Sequence, residues 1–155
     1  LRPTSVHGNG RGLTKTLARI ASLPIIALPR GGRTLVPFCH VENVAHGVYC
    51  ALQADGHIDE PIIVAAERSI PLRDALERLR DSNKKQSMLV VGIPILLFKG
   101  VAKAADFLLG LLGRSPIFGE DRLRVLIDDT EFNISKAEDL LGYKPLVRAD
   151  EGFET

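Results

Sequence analysis

The chain has 155 residues, 45% of them apolar and 25% charged, which is enough for one domain with a buried core and too hydrophobic for a disordered segment. A formal net charge of +1 excludes a strong global field towards nucleic acid or an anionic membrane. The one dense basic stretch, Arg78 to Lys85, also carries Asp81 and reads as a solvated helix end.

Leu1 to Val6 is predicted as a strand, ended by the turn His7-Gly8-Asn9-Gly10-Arg11-Gly12. A helix follows over about Thr14 to Ser22, with Leu13, Leu17 and Ile20 on one face. Ile25 to Leu28 is a short apolar strand, and Pro29-Arg30-Gly31-Gly32 carries turn chemistry. Leu35 to Val41 reads as a second strand. Glu42 and Asn43 then open a helix to about Ala54, offering polar groups to the unpaired N–H groups of its first turn. Asp55-Gly56-His57 breaks that helix, and Pro61 to Ala66 is a further strand. Ser69 is the expected N-cap of a helix from Leu72 to Arg80, with Pro71 tolerated beside its first turn.

The most hydrophobic stretch runs from Met88 to Gly113. Its unbroken apolar part ends at Phe98, well short of the roughly 20 residues that cross a bilayer, so no transmembrane segment is expected. A helix is predicted over 95–112, with Lys99, Lys103, Asp106 and Gly110 on one side. Leu97, Val101, Ala104, Leu108 and Leu111 or Leu112 form the other side, expected to pack on a core or a partner rather than on a membrane surface. Gly113 to Pro116 marks a loop, and Leu123 to Ile127 alternates as a strand does. Asn133 caps a helix to Leu141, with Gly142 just past its end and Pro145 beyond. Strands and helices alternate throughout, so the expected class is α/β.

Catalytic templates are few. Gly8 to Gly12 follows a strand and precedes a helix, but the dinucleotide fingerprint G-x-G-x-x-G needs its third glycine where Leu13 stands. No Asp or Glu closes a second strand about 20 residues on, so a tight turn at a site mouth is the expected role. The chain has no G-x-S-x-G elbow, H-E-x-x-H pair or Walker lysine. Cys39 and Cys50 lack zinc-site spacing, so no metal is expected, and two free thiols in a reducing cytosol is a plainer account than a disulfide. His46 and His57 are expected at the surface. His7 and His40 lie at strand ends, which face the ligand crevice in open α/β sheets. The first residues show no signal-peptide architecture and no initiator Met, which suggests a piece of something longer.

Three segments carry a resemblance. Leu1-Arg2-Pro3-Thr4-Ser5-Val6-His7-Gly8-Asn9-Gly10 is similar to an L-R-P-x-x-V-Y-G-P-G segment. Phe38-Cys39-His40-Val41-Glu42-Asn43-Val44-Ala45 resembles F-V-H-V-D-D-V-A. Asn133-Ile134-Ser135-Lys136-Ala137, continuing to Leu141-Gly142-Tyr143-Lys144-Pro145, is similar to D-x-S-K-A-x-x-x-L-G-Y-x-P. In this order and spacing they resemble the carboxy-terminal half of extended short-chain dehydrogenase/reductases, the NAD-dependent epimerase/dehydratase family.

The resemblance implies a single carboxy-terminal substrate-binding domain over 1–155, built of the last Rossmann strands and a small α/β lobe, and incomplete as a Rossmann domain. It implies NAD or NADP, held mainly by an amino-terminal half outside this chain, and it allows a homodimer of the full-length protein. Pro3 and Thr4 would lie beside the nicotinamide, and Ser5 and His7 would face substrate. Arg122 and Arg124 stand near where some sugar-nucleotide enzymes place a phosphate-binding Arg. Many such enzymes also carry an Arg where this chain has Val36. The run Leu35-Val36-Pro37-Phe38 is more like the branch that acts on steroids and other hydrophobic alcohols. A nucleotide sugar stands slightly ahead of a steroid-like substrate in this reading, and a non-catalytic module docking through Met88–Gly113 is the rival. No catalytic residue is assigned: the family's Tyr-x-x-x-Lys pair is absent, since Tyr49 is followed by Gln53 and Tyr143 by Val147 at that spacing. The chain alone is therefore expected to bind or shape substrate without transferring hydride.

Overall fold

The computed structural model describes residues 1–8, 13–54, 58–82, 89–111, 113, 115 and 120–153. In chain order its elements are β1 (Arg2–Pro3), β2 (Ser5–His7), α1 (Leu13–Ala21), β3 (Ile25–Pro29), a 3-10 turn at Arg30–Gly32, β4 (Leu35–Val36), β5 (Phe38–His40) and α2 (Val41–Gln53). There follow β6 (Ile63–Val64), β7 (Ile70–Pro71), α3 (Leu72–Ser82), β8 (Leu89–Ile93), α4 (Ile95–Leu111), α5 (Glu120–Ile127) and α6 (Ser135–Leu141). The class is α/β, as the alternation predicts.

The first strand changes partner halfway. β1 runs parallel to β6, with Pro3 opposite Val64, and β2 runs parallel to β5, with Ser5 opposite Phe38 and His7 opposite His40. The switch falls between Thr4, whose N–H donates to the Val64 carbonyl, and Ser5, whose N–H donates to the Pro37 carbonyl. Pro37 cannot donate to a ladder, so it splits the strand expected over Leu35–Val41 into β4 and β5. β3 and β8 form a second parallel pair, and β4 pairs antiparallel with β7.

Successive residues of β5 feed opposite sides of the sheet, as the period of two requires. Phe38 joins Leu17, Ala21, Leu76 and Leu79 under α1 and α3, whereas Cys39 joins Cys50, Val64, Ala137 and Tyr143 under α2 and α6. Gly47 lets α2 lie close to β6: a Cβ there would stand 3.1 Å from both methyls of Val64.

Several elements depart from the sequence reading. Leu123–Ile127 is not a strand but part of α5; Leu123 and Ile127 are four apart and both bury against Phe98 and Ala102, a helical spacing. Residues 89–93, given no element in the sequence reading, form β8 beside β3, and the helix expected over 95–112 follows as α4. The stripe of α4 expected to pack, Leu97, Val101, Leu108 and Leu111, is exposed; Phe98 and Ala102 are the buried positions. Leu112 and His57 lie outside the described residues. Ser69 does not cap α3: its hydroxyl donates to the Thr130 carbonyl. Nor does Asn43 cap α2. That helix is capped by His40, whose Nδ1 accepts the Glu42 N–H at 3.4 Å. Asn43 is wholly buried; its Oδ1 accepts from the Leu146 and Val147 N–H groups at 2.8 Å each, and its Nδ2 donates to the Val147 carbonyl at 2.7 Å. At α6 the carboxy-terminal expectation holds, Gly142 closing the helix in the left-handed region at φ 62°; the N-cap is Ile134 rather than Asn133, whose Oδ1 accepts the Ser135 N–H from one position earlier.

Candidate functional site

The partner switch on the first strand places Thr4 and Ser5 beside a cavity of about 230 Å3. Its other walls are Leu35, Val36, Pro37, Thr130 and Phe132. Apart from three hydroxyls the lining side chains are apolar.

The segment after α5 is stapled to β4 and so fixes the far wall. Asp129 accepts the Leu35 N–H at 2.9 Å through Oδ1 and the Arg30 Nη1 at 2.9 Å through Oδ2. These two donors, the backbone one first, hold its carboxyl below the usual carboxylate range. The Thr130 N–H donates to the Leu35 carbonyl, and the Thr34 hydroxyl donates to the Leu126 carbonyl. Thr130 and Phe132 are invisible as site residues in the sequence, because nothing local in 128–133 signals a contact with residues 4 and 35.

One side chain that lines this cavity carries an unsatisfied group. Thr4 Oγ1 is buried with no hydrogen-bond partner among the described residues. A buried hydroxyl left so costs roughly 1–3 kcal/mol, and a polar ligand atom would offset that cost.

The other sequence-predicted residues lie elsewhere. Pro3 is exposed in β1 opposite Val64. His7 is 2% exposed and stacks on Phe153, ring centroids 4.3 Å apart and planes 8° from parallel, with Phe38 and His40 edge-on. Burial, and secondarily His40, lower its pKa from 6.5 to about 4, against a hydrogen bond to the Gly152 backbone. His40 sits between two glycines with positive φ: a Cβ at Gly8 would approach its ring to 2.8 Å, and one at Gly152 to 2.5 Å. His46 is half-buried on α2, its Nε2 3.5 Å from the Cys50 sulfur. Arg124 lines a separate cavity of about 220 Å3 with Lys99, Lys103, Leu123, Ile127 and Asp128. Arg122 belongs to α5, and its side chain lies outside the described residues.

Tyr143 and the cysteines are unsuited to proton exchange with a ligand. The Tyr143 hydroxyl donates to the Ala65 carbonyl at 2.8 Å, and burial pushes its pKa up, helped by Cys39, Cys50 and Glu67. Burial raises the Cys39 thiol to about 11, and both cysteines are free. Among the described residues no three His, Cys, Asp or Glu side chains gather as a metal site would need, and no helix is long and apolar enough to cross a membrane.

No family model matches the chain. It is 28% identical over 170 residues to a 3beta-hydroxysteroid-dehydrogenase/decarboxylase (isoform 1) of Arabidopsis thaliana, an alignment that covers 99% of this chain and 38% of that protein. Its fold is that of a solved structure named gox2253, with a TM-score of 0.67 at 23% identity over 97% of this chain and 45% of that one. The UDP-glucuronic acid 4-epimerase of Bacillus cereus, solved with NAD, superposes with a TM-score of 0.61 at 18% identity over 99% of this chain and 41% of that one. The chain thus spans less than half the length of the proteins it matches. In its three sequence segments the chain resembles the extended short-chain dehydrogenase/reductases, and its fold is the one these solved structures share.

Proposed function

We propose that the chain forms the substrate side of an NAD(P)-dependent oxidoreductase that acts on a hydrophobic, steroid-like alcohol or ketone. The observation that carries this reading is a cavity walled mainly by Leu35, Val36, Pro37 and Phe132, with three hydroxyl side chains, of which that of Thr4 is buried and unpaired. Apolar walls with a few placed polar groups suit a hydrophobic ligand that carries one oxygen. Val36, at the position where sugar-nucleotide enzymes carry a diphosphate-holding Arg, supports the same choice, as does the activity for which the Arabidopsis relative is named.

In this reading Pro3 and Thr4 flank the nicotinamide, and Ser5 faces the substrate oxygen. The orphaned hydroxyl fits a carboxamide or an alcohol, whereas the Gly8–Gly12 stretch lacks the third glycine of a diphosphate-holding turn. When bound, the dinucleotide supplies hydride chemistry; the residues of this chain position the ring and the substrate oxygen. The cavity is smaller than the roughly 300–1,000 Å3 of a complete small-molecule site, so it forms one wall of a site shared with further residues.

A nucleotide sugar is the second reading, and Arg124 beside Lys99 and Lys103 is the observation in its favour. Amide chemical-shift mapping of the chain separates the two. A steroid ketone should perturb Thr4, Ser5 and Phe132, and Ser5→Ala should weaken its binding by about tenfold, the equivalent of one hydrogen bond. A UDP-sugar that perturbs the Arg124 cavity while the steroid perturbs nothing would reverse the choice.

A further inference from the structure

The segment between α5 and α6 is a strap, fixed at both ends and loose in the middle. At its first end the Thr130 N–H donates to the Leu35 carbonyl at 3.1 Å, and the Ser69 hydroxyl donates to the Thr130 carbonyl at 2.8 Å. At its far end Ile134 is buried with Ala137 and Tyr143, and its carbonyl accepts the Ala137 and Glu138 N–H groups. Glu131, Phe132 and Asn133 lie between these anchors, and all three are exposed. Among the described residues no hydrogen bond uses their backbone groups. A short stretch with solvated backbone opens at low cost, while its anchors limit how far it travels.

Phe132 is the side chain of this stretch that lines the cavity of about 230 Å3, yet it is 45% exposed. The other lining residues are held by their backbones. Thr4 donates to Val64 and Ser5 to Pro37, Leu35 and Val36 pair with β7, and Thr130 is bonded to Leu35. Phe132 alone combines an apolar side chain at the cavity with a backbone that no such bond fixes. An aromatic ring in that position leaves water by closing over whatever fills the hollow.

We propose that Phe132 is a flap that closes over a flat, fused-ring ligand and selects for it, an inference that rests on the hydrophobic-ligand reading above. A ring face gives most contact to another extended flat surface and little to a small molecule. Closure needs changes of φ and ψ only within residues 131–133, so the bonds that fix the rest of the wall stay intact. Shape and polarity are then read by different segments: Phe132 on the strap grips the ligand's face, and Ser5 on β2 meets its oxygen.

The chain has no tryptophan, so Phe132→Trp places a single reporter on the flap. Added to the 155-residue variant, a steroid ketone should move the indole emission to shorter wavelength as the ring leaves water. Affinities read from amide shifts should then separate a flap from a passive wall. Phe132→Ala should weaken the steroid ketone about tenfold and cyclohexanone less than about twofold, and Phe132→Tyr should restore the preference. Melting of Phe132→Ala should match the parent's, because the position is exposed. The proposal is overturned if the steroid ketone perturbs the Thr4 and Ser5 amides while the indole emission stays unchanged, or if Phe132→Ala weakens both ketones alike. The hydrophobic-ligand reading survives either of those results. A steroid ketone that perturbs none of these residues overturns both.

Discussion

Asn43 does the work of a short strand with one side chain. Its amide satisfies two N–H groups and one carbonyl of residues 146–147, about a hundred positions away, and ties the carboxy-terminal segment to α2. Asn43→Ala would leave those backbone groups buried and unpaired, so urea unfolding should show a loss of about 2–4 kcal/mol. His7 sets the acid limit of the fold. In the unfolded chain its imidazole takes up a proton near pH 6.5, but in the folded chain only near pH 4. The unfolded state therefore binds more protons between these values, and stability should fall as pH drops from about 6.5 to about 4, by up to about 3 kcal/mol. His7→Phe, which keeps the stack on Phe153, should remove that pH dependence; an unchanged profile would show that His7 is not its source. At this scale the sequence displays residue types but not their partners. Thr4 and Ser5, which line the cavity, are singled out by a local motif. Asn43 reads as a helix cap because Leu146 and Val147 are too distant to enter any window, and Phe132 is missed for the same reason.

Elements were legible where the signal is local. α6 is announced by Asn133 just before its start, where Oδ1 accepts the Ser135 N–H, and by Gly142, which caps its end. Gly142 sits at φ 62°, and no atom lies within 4 Å of where an added methyl group would stand. Gly142→Ala should therefore cost only backbone strain, about 1 kcal/mol in thermal unfolding. Periodicity was ambiguous where two periods share the same residues. Leu123, Val125 and Ile127 alternate as a strand would, yet Leu123 and Ile127 also stand one helical turn apart, and packing against Phe98 and Ala102 decides for the helix. The apolar run after Met88 hides a change of element at Pro94, because a buried strand and a buried helix share the same composition. For α4 the pattern located an apolar stripe without showing which sector touches protein; the packed sector is Phe98 and Ala102, not the longer row of leucines.

Across the whole molecule, the partner switch at Thr4 and the stapled segment at 129–132 build one concave, largely apolar wall. The α/β class and the family segments were readable from the sequence because they rest on spacing along the chain. The cavity was not, because it joins residues 4, 36 and 132. In the proposed function that wall serves substrate and the nicotinamide end, while the grip on the dinucleotide's phosphates falls to residues this sequence does not contain. Calorimetric titration of the 155-residue chain with NAD and with NADP tests this division of labour head-on. No saturable site in the micromolar range is expected for either. A micromolar Kd would contradict the division, because the stretch from Gly8 to Gly12 would then have to cradle phosphate without the third glycine.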